Sequence, residues 1–540
     1  MPYVGQTLEV ALGRLGLVTN LSQRDIPLSA LTRADNVQLD GTNVVKSPGS
    51  AKFNTTALDS AIVALFDWFP TFEKQRLIAA TAGGKLYRDS GDRTFGSGTA
   101  IKSDLTSLDN QVMFVEGGVE EPGSPKKLFF FNPGNQVQVL TGDGTSFTDM
   151  KKPAIDWANG NFPKAAVIFD NSLTVFGNIN APHRLYLSNV TDHEDFQSVA
   201  DIKTFQVFPG EGERIAAVLV YNGKLFVFKT PQGVYVLDNR DAVGVTKLKG
   251  SFGCASAHSP LGVLNDVLLK NETGSITSVV ATDKFGDIEA GDVLRTLSNE
   301  DFMRKNTNPQ GTARTHALYY ADKKRVLVTY QSKFANTNDR LLTLDFQAER
   351  PRVTWEAQKD DVNCLILRKD SKGVPRPIYG NTDGFVFLYD QDLRSVDGTA
   401  YDGVLETPDI DFGQQNAILA SQVKNFDFLE LIFEPEGRWD VTADIFIDGH
   451  LRQTLTFLQL QENGLAGATP KATDFVLDAS PSDHKNHLLG ETPEATRKRL
   501  TCGPGKRIRI RLSNAVTDQR FTLSSLIISY RIADESARRV

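Results

Sequence analysis

The groups in this 540-residue chain that could perform chemistry are seven histidines, three cysteines and 66 carboxylates. Of His183, His193, His258, His316, His450, His484 and His487, only the last two lie close in sequence. A spacing of three could chelate a metal, but Asp483 and Lys485 beside them and the lack of a nearby cysteine make the segment an ordinary solvated loop. Cys254, Cys364 and Cys502 are far apart and form no C-x-x-C pair, so neither a disulfide framework nor a cysteine zinc site is expected. The phosphate-cradling G-x-x-x-x-G-K-[S/T], a helix-opening G-x-G-x-x-G, the G-x-S-x-G elbow and H-E-x-x-H are absent, which removes the usual nucleotide, hydrolase and zincin chemistries. No catalytic residue, cofactor or metal is assigned, and an enzyme is not expected.

Two aspartates sit in glycine-rich turns, Thr141-Gly-Asp143-Gly-Thr-Ser-Phe147 and Asn381-Thr-Asp383-Gly-Phe385. In sialidase-type S-x-D-x-G boxes glycine does not directly follow the aspartate, so these read as turns. A glycan-acting enzyme would instead need two carboxylates converging in space, which spacing alone cannot show.

The strongest local charge feature lies near the C-terminus. In Lys506-Arg-Ile-Arg-Ile-Arg-Leu512 the period of a strand puts Arg507, Arg509 and Arg511 on one face and Ile508, Ile510 and Leu512 on the other. Arg497, Lys498 and Arg499 add charge just upstream. This stripe is either a solvated face paired with acidic neighbouring strands or a contact for an acidic partner or a nucleic-acid backbone. The chain as a whole has 59 Lys+Arg against 66 Asp+Glu, a net charge of −7, which argues against a general nucleic-acid coat. Glu9 and Arg14 interrupt what a secretion signal would need as an apolar run, and no stretch approaches eighteen apolar residues, so a soluble chain from a reducing compartment is expected.

The elements that must position these groups read as strands. Phe is used 33 times and Met four, and short apolar runs are bounded by Gly, Asn or Asp. Asn222-Gly223, Gly83-Gly84, Asp383-Gly384 and Asp448-Gly449 each separate two such runs, as tight hairpin turns do. Leu86, Leu128, Leu173, Leu225, Ile276, Val326 and Phe385 recur at intervals of 42 to 59 residues. A unit of that length holds about four strands and cannot bury both faces alone, so the units must pack around an axis. The fold class is therefore all-β: a β-propeller of about seven blades, with six or eight open, followed by a C-terminal β-sandwich.

The expected organisation is an N-terminal arm and propeller-closing segment at 1–58, a propeller at 59–400, and a sandwich at 401–540. Thr407-Pro408 and 411–413 read as a linker, runs at 426–433, 441–447, 451–458, 507–512 and 523–530 as long strands, and 461–505 as a polar insertion. Helix is expected to be minor. Residues 294–304, with Ser298 as an internal N-cap, and 259–269 are the two segments with any helical pattern.

Several pieces in order carry a resemblance: Gly16-Leu-Val-Thr-Asn20, Asp25-Ile-Pro-Leu-Ser-Ala30, Ala34-Asp-Asn-Val37 and Val44-Val-Lys-Ser-Pro-Gly49. A second patch is Asn171-Ser-Leu-Thr-Val-Phe176, Arg184-Leu-Tyr-Leu-Ser188 and Asp195-Phe196. Together they resemble the tail nozzle, or packaged-DNA stabilisation, proteins of short-tailed bacteriophages. Two departures are Phe196 in place of that patch's usual tryptophan-like aromatic and the 461–505 insertion.

The resemblance implies a virion protein assembled in the host cytoplasm. It implies a homohexameric ring below the portal and head-to-tail adaptor, bearing fibres or spikes, through which double-stranded DNA is retained and then ejected without sequence-specific contacts. Six copies at −7 each would carry −42, a wall that does not trap phosphate. The alternatives are a cellular propeller used as a binding module and a glycan-degrading propeller enzyme.

Overall fold

The computed structural model describes residues 6–533 except 72–73, 91–94, 96–99, 107, 110, 119–125, 144, 199–200, 249–251, 281–283, 285–290, 298, 349, 358–360, 392, 435–438 and 460–493. Seven small antiparallel sheets follow one another from residue 62 to residue 391. Six are separate sheets, and the remaining one, residues 317–357, forms one end of a nine-stranded sheet. The hairpins use the turns that the sequence marks. Asn222 and Gly223 have φ of 50° and 73°, and Asp448 and Gly449 of 50° and 87°, the positive pair that matches the twist of the flanking strands.

Each blade has a central strand with both faces buried, and its alternation assigns the faces. In Lys127–Phe131, Leu128 and Phe130 enter a cluster with Ile78 and Ala80 of the first blade, while Phe129 and Phe131 enter another with Leu173 and Val175 of the third. Leu225 and Val227 join the third blade to the fourth, and Phe228 joins the fourth to Val267 and Leu269 of the fifth. Leu268 packs with Val326 and Val328 of the sixth, and Leu327 with Tyr379 of the seventh. Ile378 then meets Leu77 and Ala79 of the first blade. Seven interfaces with seven apolar clusters close a circle, so the fold is a seven-bladed β-propeller. The seven anchor residues of the sequence repeat fall one to a blade. Their uneven spacing arises because Leu86, Ile276 and Phe385 lie in or beside third strands and the other four in second strands.

The ring is closed with a strand from the other end of the chain. Gly49–Lys52 pairs antiparallel with Val386–Gln391 as the outer strand of the seventh blade. Gly49 is required there: a Cβ would sit 2.1 Å from the Ser395 carbonyl oxygen. On the N-terminal side of this strand, Val37–Asp40 and Asn43–Lys46 form a hairpin that pairs with Thr522–Ile532, and Gln6–Ala11 pairs along the same strand.

Residues 403–532 together with these N-terminal strands build a second unit. Lys424–Phe433 lies between Thr522–Ile532 and Glu494–Arg499 in one sheet. Ile508–Asn514 lies between Gly403–Glu406 and Trp439–Ile447 in the other, with His450–Gln459 at its edge. A single buried cluster takes Leu429, Leu431 and Ile528 from the first sheet and Val441, Ile445 and Ile510 from the second. Arg33–Asp35 pairs with both Gly403–Glu406 and Trp355, which runs this second sheet into the sixth blade. The stretch that reads as a linker is bonded in place, with Thr407 N donating to Ile510 O and Ile410 bridging Ile508.

Among the described residues helix is confined to short pieces. Val293–Thr296 is capped by Asp292, whose side chain accepts from Arg295 N, and Glu300–Asn306 follows after a break. Ser298 lies outside the described residues. Residues 259–269 instead contain the hairpin Leu261–Val263 and Asp266–Lys270, because the fifth blade needs its inner strands there. The insertion expected at 461–505 lies outside the described residues up to 493, as do His484 and His487, whereas Glu494–Arg499 is a strand.

Where the two units meet, Glu356 is 2 % exposed. It accepts from Gln38 Nε2 (2.8 Å), Ser47 Oγ (3.0 Å) and Tyr389 OH (2.9 Å), tying the N-terminal hairpin to the sixth and seventh blades. Burial raises its carboxyl pKa, and these bonds oppose the shift. Replacing Gly49→Val forces a branched side chain into the Ser395 backbone at the closure, and we expect a loss of about 3 kcal/mol, read as a lower urea midpoint with unchanged slope.

Candidate functional site

The innermost strands of the blades surround an axial funnel of ≈ 420 Å³, the place where propellers bind ligands or perform chemistry. Its wall is apolar, with Phe66, Met113, Val115, Ile168, Leu219 and Ile366 among the lining residues. Glu116 is the sole carboxylate among the described lining residues, and its Oε1 accepts from Lys126 Nζ at 2.6 Å.

His258 and His316, 58 positions apart in sequence, stack in this funnel with ring centroids 4.2 Å apart and planes 11° from parallel. His258 Nε2 lies 3.0 Å from Val112 O, a pure acceptor, so Nε2 carries the proton. Burial pushes His258 down to about 4, and the ring is neutral at pH 7. Gln111 Oε1 accepts from Ala257 N (3.3 Å), and Ser256 Oγ donates to Thr315 O (2.6 Å). The segments entering the second, fifth and sixth blades are thus bonded to one another across the axis. Lys270, 2 % exposed, donates to Thr315 Oγ1 at 3.0 Å, and desolvation holds its ammonium down to about 8. Neither the stacked histidines nor this lysine has a motif in the sequence, because each depends on residues from separate blades.

The basic stripe is placed as its alternation suggests, with Ile508, Ile510 and Leu512 fully buried and the arginines half-buried. Acids on neighbouring segments meet it. Glu406 bridges Arg509 (3.1 Å) and Arg511 (3.0 Å), Asp409 lies 3.3 Å from Arg507, and Asp444 lies 4.0 Å from Arg511. Arg509 and Arg511 each lie 4.8 Å from the Phe446 ring centroid. Arg497, Lys498 and Arg499 stand on an edge strand of the opposite sheet: Arg497 covers the Phe428 ring at 4.0 Å, Lys498 Nζ donates to Thr456 O, and Arg499 is exposed. The structure therefore does not bring the six basic residues into one surface.

Asp143 is an ion-pair hub, with Arg76 (3.2 Å), Arg88 (2.9 Å) and Lys74 (3.2 Å) of the first blade around it, and this cluster lowers its pKa. Asp195 accepts from Gln197 N and Ser198 N and pairs with Lys152 at 2.9 Å, while Phe196 packs on Trp157 with centroids 4.8 Å apart. These contacts pin the segment that enters the third blade. Among the described residues, no group of three or more His, Cys, Asp or Glu could hold a metal ion.

No protein-family model matches the chain, and no curated protein matches it. Among solved structures it is similar at 10 % identity to the computationally designed Ika8 protein, covering 63 % of this chain and 99 % of that one with a TM-score of 0.35. It is also similar to BBS1N in complex with ARL6DN, at 10 % identity over 62 % of this chain and 95 % of that one, TM-score 0.38.

Two outcomes follow from the charges. Lys270 has a folded pKa below its unfolded value, so the unfolded chain binds more protons between about pH 8 and 10.5, and the Lys270 contribution makes stability rise with pH across that window. Comparing Lys270→Met with the parent should show that part of the rise disappear in denaturant titrations at pH 7, 8.5 and 10. Glu406→Gln leaves Arg509 and Arg511 facing each other without their shared anion, and a loss of about 2 kcal/mol in the denaturant midpoint is expected, smaller in high salt.

Proposed function

We propose that the chain is a wall subunit of a short-tailed bacteriophage tail, the nozzle. On this reading six copies form a ring below the portal and adaptor, carry fibres or spikes, retain packaged DNA and conduct it during ejection. The observation that carries this reading is the location of the residues behind the sequence resemblance. Leu17 N donates to Val353 O, Leu31 N to Gly16 O and Asn36 N to Trp355 O, and Gly49 enters the seventh blade. The resembling N-terminal pieces are thus one buried clasp between propeller and second unit, a role that a family of rigid wall subunits needs kept. The resembling patch at 171–196 forms the third blade and its entry segment.

Among the described lining residues of the funnel Glu116 is paired with Lys126, and the two converging acids of a glycosidase are not brought together there. The bonds between Gln111, Val112, Ser256 and His258 span the propeller axis, so a DNA conduit has to lie on the axis of the ring of copies, not along the axis of each propeller. The apolar funnel favours one second reading, a propeller binding module that captures a partner's apolar side chain.

Cryo-electron microscopy of intact particles tests the nozzle directly. A sixfold ring of this chain on the tail axis is expected. Its absence from the particle, or a monomer in solution that binds an apolar peptide in the funnel, would favour the binding module, and hydrolysis of a glycan by the isolated chain would overturn both.

A further inference from the structure

A second cavity, of ≈ 440 Å³, lies where the N-terminal hairpin, the sixth and seventh blades and the loop before Thr522–Ile532 converge. Its lining is polar and strongly unbalanced in charge: Lys46, Lys323, Arg325, Arg376, Arg394 and Arg520 stand against Asp40 and Asp322. Three of the cations are deeply buried, Lys46 at 0 %, Arg325 at 5 % and Arg394 at 6 % exposure. Burial of a cation is costly unless an anion or several acceptors compensate. For Lys46 and Arg325 the hydrogen-bond acceptors are neutral, with Asp402 and Asp518 acting on Lys46, and Glu356 on Arg325, only through space. Lys46 Nζ donates to Asn514 Oδ1 (2.7 Å) and Val516 O (3.0 Å), and Arg325 donates to Gln38 Oε1 and to Leu39 O (2.7 Å). Arg394 Nη1 donates to Leu393 O at 2.8 Å, and its backbone N donates to the Asp518 carboxylate at 2.9 Å. The nearest carboxylate to Arg325 is Asp345 at 3.6 Å, which is shared with Arg352 at 3.2 Å. Arg376 pairs with Asp370 at 3.1 Å.

We propose that this cleft binds a small ligand bearing two or more linked phosphate groups, and that the ligand bridges the propeller to the second unit. Planar guanidinium forks match phosphate oxygens, and several forks from different segments suit a chain of phosphates better than a single one. The volume is that of a nucleotide-sized site, and a concave cleft lined by buried cations fits a short oligophosphate rather than the backbone of a duplex. The site needs five chain segments that are distant in sequence, which is why no run of basic residues announces it.

Isothermal titration of the full chain with tripolyphosphate, orthophosphate and a single-stranded oligonucleotide, at about 50 and about 200 mM salt, tests this. Tripolyphosphate should bind saturably and more tightly than orthophosphate. The double variant Lys323→Gln with Arg520→Gln should weaken it by about tenfold or more. Lys203→Gln with Lys224→Gln, which removes two charges from other blades, should leave it unchanged. In a melting experiment tripolyphosphate should raise the unfolding temperature of the parent chain above the effect of sulfate at equal ionic strength, a readout that needs no variant. The proposal fails if no saturable binding is seen, if both double variants weaken binding equally, if sulfate stabilises as much as tripolyphosphate, or if only the oligonucleotide binds.

Discussion

The structure depends on one constraint: each blade buries both faces of its central strand, so no blade can be left at an end. In the run Leu128 to Phe131 successive side chains belong to different interfaces, and the same holds for Leu77 to Ala80 and for Val326 to Val328. Removing any one interface exposes two apolar faces at once, a cost of about 25 cal/mol for each Å² returned to water. The circle therefore has to close, and closure is entrusted to residues that come from the opposite end of the sequence. Gly49–Lys52 supplies the outer strand of the last blade, and the bonds of Gln38, Ser47 and Tyr389 to Glu356 hold that segment where it must turn.

The same clasp explains why propeller and second unit share a sheet. Arg33–Asp35 stitches the two units before the chain enters the hairpin on Thr522–Ile532, and after Asn43–Lys46 the chain reaches the seventh blade within a few residues. Rigidity follows from this geometry. The arginine stripe fits the same picture. Glu406 lies on the strand beside it and directly opposite Arg511, so its charges join strands of one chain.

Much of the fold was legible in the sequence because its signals are local. Asn-Gly and Asp-Gly turns fix hairpins within a few residues, alternation fixes the faces of 507–512, and a repeat of about 50 residues fixes a ring of small sheets. What stayed hidden depends on distant partners. The pairing of 49–52 with 386–391 spans almost the whole propeller, and Leu294 and Met303 of the short helices pack into the cluster between the fifth and sixth blades. The stacked His258 and His316 and the cations of the interdomain cleft come from separated segments, and the repeat that reveals the blades says nothing of which side chains their loops bring together.

Native-state hydrogen exchange on the intact chain tests the closure most directly. If the ring stands or falls as one, the Phe53 amide, bonded to Val386 O at 2.7 Å, and the amides of the seventh blade should open with the same free energy as those of Leu77 and Ala79 in the first. Exchange of residues 50–53 and the seventh blade at a far lower free energy, with blades one to four still protected, would contradict it.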